Sequence, residues 1–272
     1  MNKPYFGLWA VFAITLCAAM ALSRYTGVAD DLHLATADFM TTLFTPVKAE
    51  PARAAAPADA TAGAATATQK AATQGAYKRP ATVKTDNSAK TILFIGDSML
   101  EGLSPRLAAY AKKNGHTMYS VIWYSSTTEI WGSSTRLQDY MRKLKPNYVV
   151  ICLGANELFV RDIAKKRRRY VEAMLRQIGN VPYIWIGPPN WKPDTGINDL
   201  LQSMLAPGTF YLSNGQKFER QRDGAHPTRQ SAAAWMDRVC RWIVASSAHP
   251  IKLATPDVAS AHCRTFVHQP VR

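Results

Sequence analysis

The chain has 272 residues, enough for one sizeable core with appendages, and the stretch from 50 to 88 is too poor in large apolar side chains to build a second one. Thirty-three Lys and Arg against nineteen Asp and Glu leave a net charge of +14, which implies attraction to anionic lipid, acidic glycan or nucleic acid without choosing among them. The four cysteines, Cys17, Cys152, Cys240 and Cys263, show no metal-ligand spacing and no CxxC, and no Gly-x-Gly-x-x-Gly or phosphate loop is present, so neither a metal nor a redox cofactor is expected.

In chain order, residues 5–22 are nearly all apolar between Lys3 and Arg24, just long enough to cross a bilayer. They read as an uncleaved anchor within segment 1–24, or as a signal peptide for which Ala19-Met20-Ala21 offers the cleavage site. Both readings carry the remainder out of the cytoplasm. A membrane-proximal segment, 25–49, has a loosely helical apolar pattern that fits an amphipathic helix or an ordinary packing helix. Residues 50–89, dominated by Ala, Thr, Pro, Gln and Lys, cannot bury enough surface to offset their ordering entropy and read as a disordered tether.

From 90 to 247 strands and helices alternate. Strands are expected at 91–95, 117–123, 148–153, 183–186 and 209–212, and helices at 105–114, 135–143, 162–178, 197–205 and 229–245. This alternation implies an α/β fold, a three-layer α/β/α sandwich on a five-stranded parallel sheet of flavodoxin-like type. The tail, 248–272, is polar and proline-punctuated and is expected to wrap the surface or fray. Cys240 with Cys263 is the one pairing to entertain, and without geometry no bridge can be assigned.

Three short motifs end strands or begin helices: Gly96-Asp97-Ser98, Gly154-Ala155-Asn156-Glu157 and Asp223-Gly224-Ala225-His226. One parallel sheet can bring all three to its carboxyl edge, where open α/β sheets bind ligands. In this order they resemble the SGNH (GDSL-type) hydrolase family over roughly residues 90–245, a specific match for the set although each motif alone is weak. The resemblance implies an acyl-serine mechanism in which Ser98 is nucleophile, His226 base and then acid, and Asp223 the group that orients the imidazole.

Charge developing on the acyl oxygen needs donors already in place. The resemblance implies the backbone N–H of Ser98, the side-chain amide of Asn156 and an N–H from the loop after the second strand. The family's glycine is missing from that loop until Gly132, so Ser126 or Thr127 is expected to supply the donor. Glu157, in place of a more usual Asp, reads as support for its turn.

Trp191 and Asn190 lie in a Pro-rich loop that reads equally as a substrate wall, with Trp191 stacking on a sugar ring, or as a proline-stiffened connection, and Trp123 lines the opposite side or belongs to the core. The run Lys165-Lys166-Arg167-Arg168-Arg169 reads first as a solvated helix face and second as a contact for anionic lipid or acidic glycan. A secretory segment argues against a nucleic-acid partner.

Together these readings describe an SGNH-like serine esterase tethered to the inner membrane of a bacterial envelope, or exported, that cleaves O-acyl esters, O-acetyl above all, on an envelope glycan. The same site supports acyl transfer to a sugar hydroxyl, and a binding or scaffolding module that has lost turnover is the reading from another class.

Overall fold

A computed structural model describes residues 77–270. The expected anchor, the membrane-proximal segment and most of the tether lie outside these residues. Among those described, no helix is long and apolar enough to cross a membrane.

Strand β1 (Thr91–Gly96) is the centre of the sheet, and its residues after Thr91 are buried. It leads through a turn into α1 (Leu100–Lys113), which begins before Pro105 instead of at it. A proline there forfeits one intrahelical hydrogen bond, and the complete burial of Leu100 and Leu103 on the sheet outweighs that loss. Then follow β2 (Thr117–Trp123), a short α2 (Thr128–Ser133) that the sequence pattern does not reveal, and α3 (Arg136–Leu144).

Next come β3 (Tyr148–Cys152), a single 3₁₀ turn (Ala155–Glu157) and α4 (Ile163–Ile178). The described chain is completed by β4 (Tyr183–Ile186), α5 (Ile197–Met204), β5 (Phe210–Tyr211), α6 (Arg229–Ser246) and β6 (Arg264–His268).

The sheet has six strands in the order β5-β4-β3-β1-β2-β6, all parallel. This is the expected layered α/β sandwich with one strand more than the five read from the sequence. The sixth comes from the tail, which pairs with β2 from Tyr119↔Arg264 to Trp123↔His268 instead of fraying. It is pinned by Phe266 against Tyr140, ring centroids 5.2 Å apart, by Tyr140 Oη 2.8 Å from His268 Nε2, and by Trp123 Nε1 donating to the Gln269 carbonyl.

The end of the expected tether is also engaged. Asp86 forms a parallel bridge with Ile251, and Arg79 donates to the Val244 carbonyl at 2.8 Å.

Successive strand residues face opposite sides of a sheet. Ile92 and Phe94 accordingly pack with α1 and α6 on one face, while Leu93 and Ile95 pack with α2 to α5 on the other. Cys152 and Cys240 are buried free thiols and Cys263 is a half-buried one, so the Cys240–Cys263 pairing is not formed.

Candidate active site

The end of β1 can pack closely against β3 and α1 because residue 96 is glycine. A Cβ there would lie 2.2 Å from the Cys152 carbonyl oxygen and 2.3 Å from Leu100 Cδ1. The Asp97 carboxyl is fully buried under the turn and accepts from the Met99 N–H at 2.9 Å, which leaves Ser98 at the sheet edge. Ser98 Oγ lies 2.8 Å from His226 Nε2.

His226 reaches this position from the loop before α6. Asp223 accepts the backbone N–H groups of Ala225 at 2.9 Å and His226 at 3.0 Å, folding the loop around its own carboxylate. Its other oxygen lies 2.5 Å from His226 Nδ1. That ring hydrogen bond comes first among the causes that hold the Asp223 carboxyl down at about 2. A carboxylate facing Nδ1 fixes the proton there and leaves Nε2 free to accept from Ser98. Thr228, next but one, caps α6 by accepting from the Ser231 N–H at 3.2 Å. The structure thus places the three expected catalytic side chains in one hydrogen-bonded line.

Asn156 sits on the 3₁₀ turn after β3, entered through Gly154 at φ +124°, a backbone conformation that favours glycine. Its Nδ2 donates to the Ser126 carbonyl at 3.0 Å and lies 3.5 Å from Asp97 Oδ2. One amide hydrogen is therefore firmly committed, and the second, at the limit of contact with Asp97, is the one able to meet a developing oxyanion. The Ser98 N–H has no hydrogen-bond partner among the described residues.

Of the two residues expected to replace the missing glycine, Ser126 has its N–H engaged, while the Thr127 N–H has no hydrogen-bond partner among the described residues. The Ser126 N–H closes a turn onto the Trp123 carbonyl at 3.1 Å, and the Ser126 side chain is fully buried, accepting from Trp131 Nε1. The peptide joining Ser126 to Thr127 is trans. With its carbonyl turned to Asn156, its N–H points away from Asn156. Thr127 instead caps α2, its hydroxyl accepting from the Ile130 N–H at 3.3 Å. Ser125, at φ +56°, holds the left-handed position of the turn, where a glycine would be unstrained. Gly132 lies inside α2, where a Cβ would come within 2.5 Å of the Tyr170 carbonyl oxygen, so its role is packing against α4.

Glu157 joins the loops after β2 and β3. Its buried carboxylate accepts the Thr128 N–H at 3.1 Å and the Thr128 hydroxyl at 2.6 Å. Arg167 Nε lies 2.8 Å from the same group, an ion-pair contact without the alignment of a hydrogen bond, and Arg167 Nη1 lies 2.6 Å from Glu129. Burial pushes the Glu157 carboxyl above its usual range. Arg167 was hidden in the basic run. The signal that finds it is helical spacing, because Ile163, Val171, Met174 and Ile178 are the buried residues of α4 and Arg167 falls on the same face.

Of the expected substrate wall, Trp123 is buried, stacked edge-on against Trp131 with centroids 5.2 Å apart; it is core, not lining. Asn190 Oδ1 accepts from Asn198 Nδ2 at 3.1 Å, and Arg220 ties the loop through the Pro189 and Asn190 carbonyls. Trp191 is half-buried, its indole N–H donating to the Ala155 carbonyl. The ring offered to solvent is Phe159, which the sequence reading missed; it is 55% exposed and edge-on to Trp191 at 5.4 Å. Among the described residues no cluster of side chains is suited to hold a metal ion.

No protein-family model matches the sequence, and no curated protein matches it either. Among the solved structures that resemble it, three serve as examples. They are the psychrotrophic esterase EstA from Pseudoalteromonas sp., in a form inhibited by monoethylphosphonate (19% identity, TM-score 0.44), TesA (19%, 0.46) and a protein assigned to the lipolytic G-D-S-L family from Desulfitobacterium hafniense (15%, 0.39). Each likeness covers 56% of this chain, and 96%, 97% and 98% of the respective neighbours. At this distance they add nothing to the reading of the site, which rests on its own geometry.

Proposed function

We propose that the chain is a serine esterase of the SGNH type, held at or exported from a bacterial inner membrane by its N-terminal segment, and that it removes O-acyl groups, O-acetyl above all, from an envelope glycan. The observation that carries this is the unbroken line from Ser98 Oγ through the His226 imidazole to the Asp223 carboxylate, at 2.8 and 2.5 Å. A turn with no chemistry to perform has no need of a histidine locked in one tautomer against a serine.

In the proposed reaction Ser98 Oγ bonds to the acyl carbon as its proton passes to His226 Nε2. The Ser98 N–H meets the oxyanion, and so does the second amide hydrogen of Asn156 as it exchanges its 3.5 Å contact with Asp97 for the substrate. Collapse of the adduct breaks the bond to the sugar oxygen, which takes the proton from Nε2 and leaves as the free hydroxyl. Water then attacks the acyl-serine and gives its proton to Nε2, which passes it to Ser98 Oγ as the carboxylic acid departs. Substitution of a sugar hydroxyl for that water would make the same site an acyltransferase.

The test is turnover of p-nitrophenyl acetate by the full-length protein together with labelling by an active-site phosphonate. The expected result is hydrolysis and one adduct on Ser98, both lost in Ser98→Ala. Labelling together with an O-acetylated oligosaccharide, formed without acetate release and only when that acceptor is added, would assign transfer. A folded protein that neither turns over nor labels would leave the binding-module reading.

A further inference from the structure

We infer that the cavity beside the Asn156 turn is a subsite for an acidic glycan, one whose sugars carry carboxylate or phosphate groups, and that this polymer is the one bearing the acyl ester; the inference rests on the esterase reading above. The cavity has a volume of about 820 Å³ and is walled by Arg161, Lys165, Lys166, Arg167 and Arg169. Two carboxylates also line it, Glu129 and Asp162. Glu129 is already matched by Arg167 at 2.6 Å, so the remaining balance is strongly positive. Among the described residues Arg161, Lys165 and Lys166 form no ion pair.

An ordinary solvated helix face intersperses charges of both signs. Here like charges converge on one concavity, which raises the local concentration of anions and steers them in. The rim adds the features of a sugar site. Phe159 lines the cavity and is the most exposed large hydrophobic side chain described. Lys192 Nζ stands 4.9 Å from its ring centroid and 5.0 Å from that of Trp191. An apolar ring beside an ammonium offers a face for a pyranose and a partner for its anionic substituent.

Phe159 is three residues from Asn156, so their Cα atoms are at most about 11 Å apart. A short oligosaccharide seated in the cavity would have about that span to cover to the Asn156 turn. An open concavity edged by an exposed aromatic ring suits a sugar chain lying along it.

The experiment measures binding of the full-length protein to oligogalacturonate and to a neutral xylo-oligosaccharide of the same length by titration calorimetry at low and high salt, for wild type and for Lys165→Gln/Lys166→Gln. Both lysines are exposed, and a thermal melt by circular dichroism confirms that the variant is folded. The expected result is salt-sensitive binding of the acidic oligomer, about tenfold tighter than the neutral one and weakened about tenfold by the double substitution. Equal affinity for the two oligomers, or an unchanged affinity in the variant, overturns the subsite. So does binding to phosphatidylglycerol vesicles through the same lysines with no binding of oligogalacturonate. Calorimetry needs no turnover: a protein that binds the acidic oligomer yet fails the p-nitrophenyl acetate test removes the esterase reading and keeps the subsite, and the reverse outcome removes the subsite alone.

Discussion

Asp97 stands next to the candidate nucleophile with its carboxyl fully buried, and that burial pushes it from the usual 3.8 up to about 7. The folded protein therefore keeps a proton that the unfolded chain releases between about pH 4 and 7, and stability falls as pH rises through that window. The gap between 3.8 and about 7 corresponds to about 4 kcal/mol of stability missing above pH 7. Asp97→Asn is neutral at every pH and keeps an oxygen to accept the Met99 N–H. It gives up the 3.5 Å contact with Asn156, where two amide groups would then meet, at a cost of about 1 kcal/mol. The variant should be about 3 kcal/mol more stable than wild type at pH 8 and about 1 kcal/mol less stable at pH 4. Urea unfolding followed by tryptophan fluorescence at a series of pH values measures both. A stability difference that stays constant across the series would refute the reasoning, because it would mean that Asp97 does not hold its proton in the fold.

Asp223→Asn keeps the loop's backbone acceptor but removes the charge that fixes the imidazole tautomer, so kcat for ester hydrolysis should fall about 10,000-fold with the thermal midpoint nearly unchanged. Glu157→Gln breaks the buried pair with Arg167 and should cost about 2 to 3 kcal/mol in urea unfolding, because the Arg167 guanidinium keeps Glu129 as its partner. A chain ending at residue 260 loses β6 and uncovers the edge of β2; its thermal midpoint should drop by at least about 5 °C, and light scattering should show self-association absent from the full chain.

The sequence revealed most clearly what repeats or what is punctuated. The first four strands are largely apolar runs between turn residues, and the ends of all four fall within a residue of expectation. Ser98, Asn156 and His226 were legible because glycine or aspartate marks the turn beside each. Where the sequence misled, a local signal competed with tertiary burial. Pro105 looks like a helix start until Leu100 and Leu103 are seen buried on the sheet. Arg264-Thr265-Phe266-Val267-His268 looks like a polar tail because an edge strand buries little. Only Phe266 and His268 turn inward, and the contacts that hold them come from Tyr140 and Trp123, more than 120 residues earlier.

The loop after β2 shows how a missing residue changes chemistry as well as backbone. With serine at 125 the turn still forms, at φ +56°, and its peptide offers Asn156 a carbonyl where an oxyanion site wants a donor. The donors left to the site are those of Ser98 and Asn156, the unpaired Thr127 N–H being turned away from Asn156. The loss of one such donor is worth about 3 kcal/mol in a transition state. An esterase built this way is slow on a small activated ester that brings no other contacts. It recovers rate only when the remainder of the substrate supplies binding energy that holds the acyl group in line. A charged cavity within about 11 Å of chain from Asn156 is where a polymer would deliver that energy.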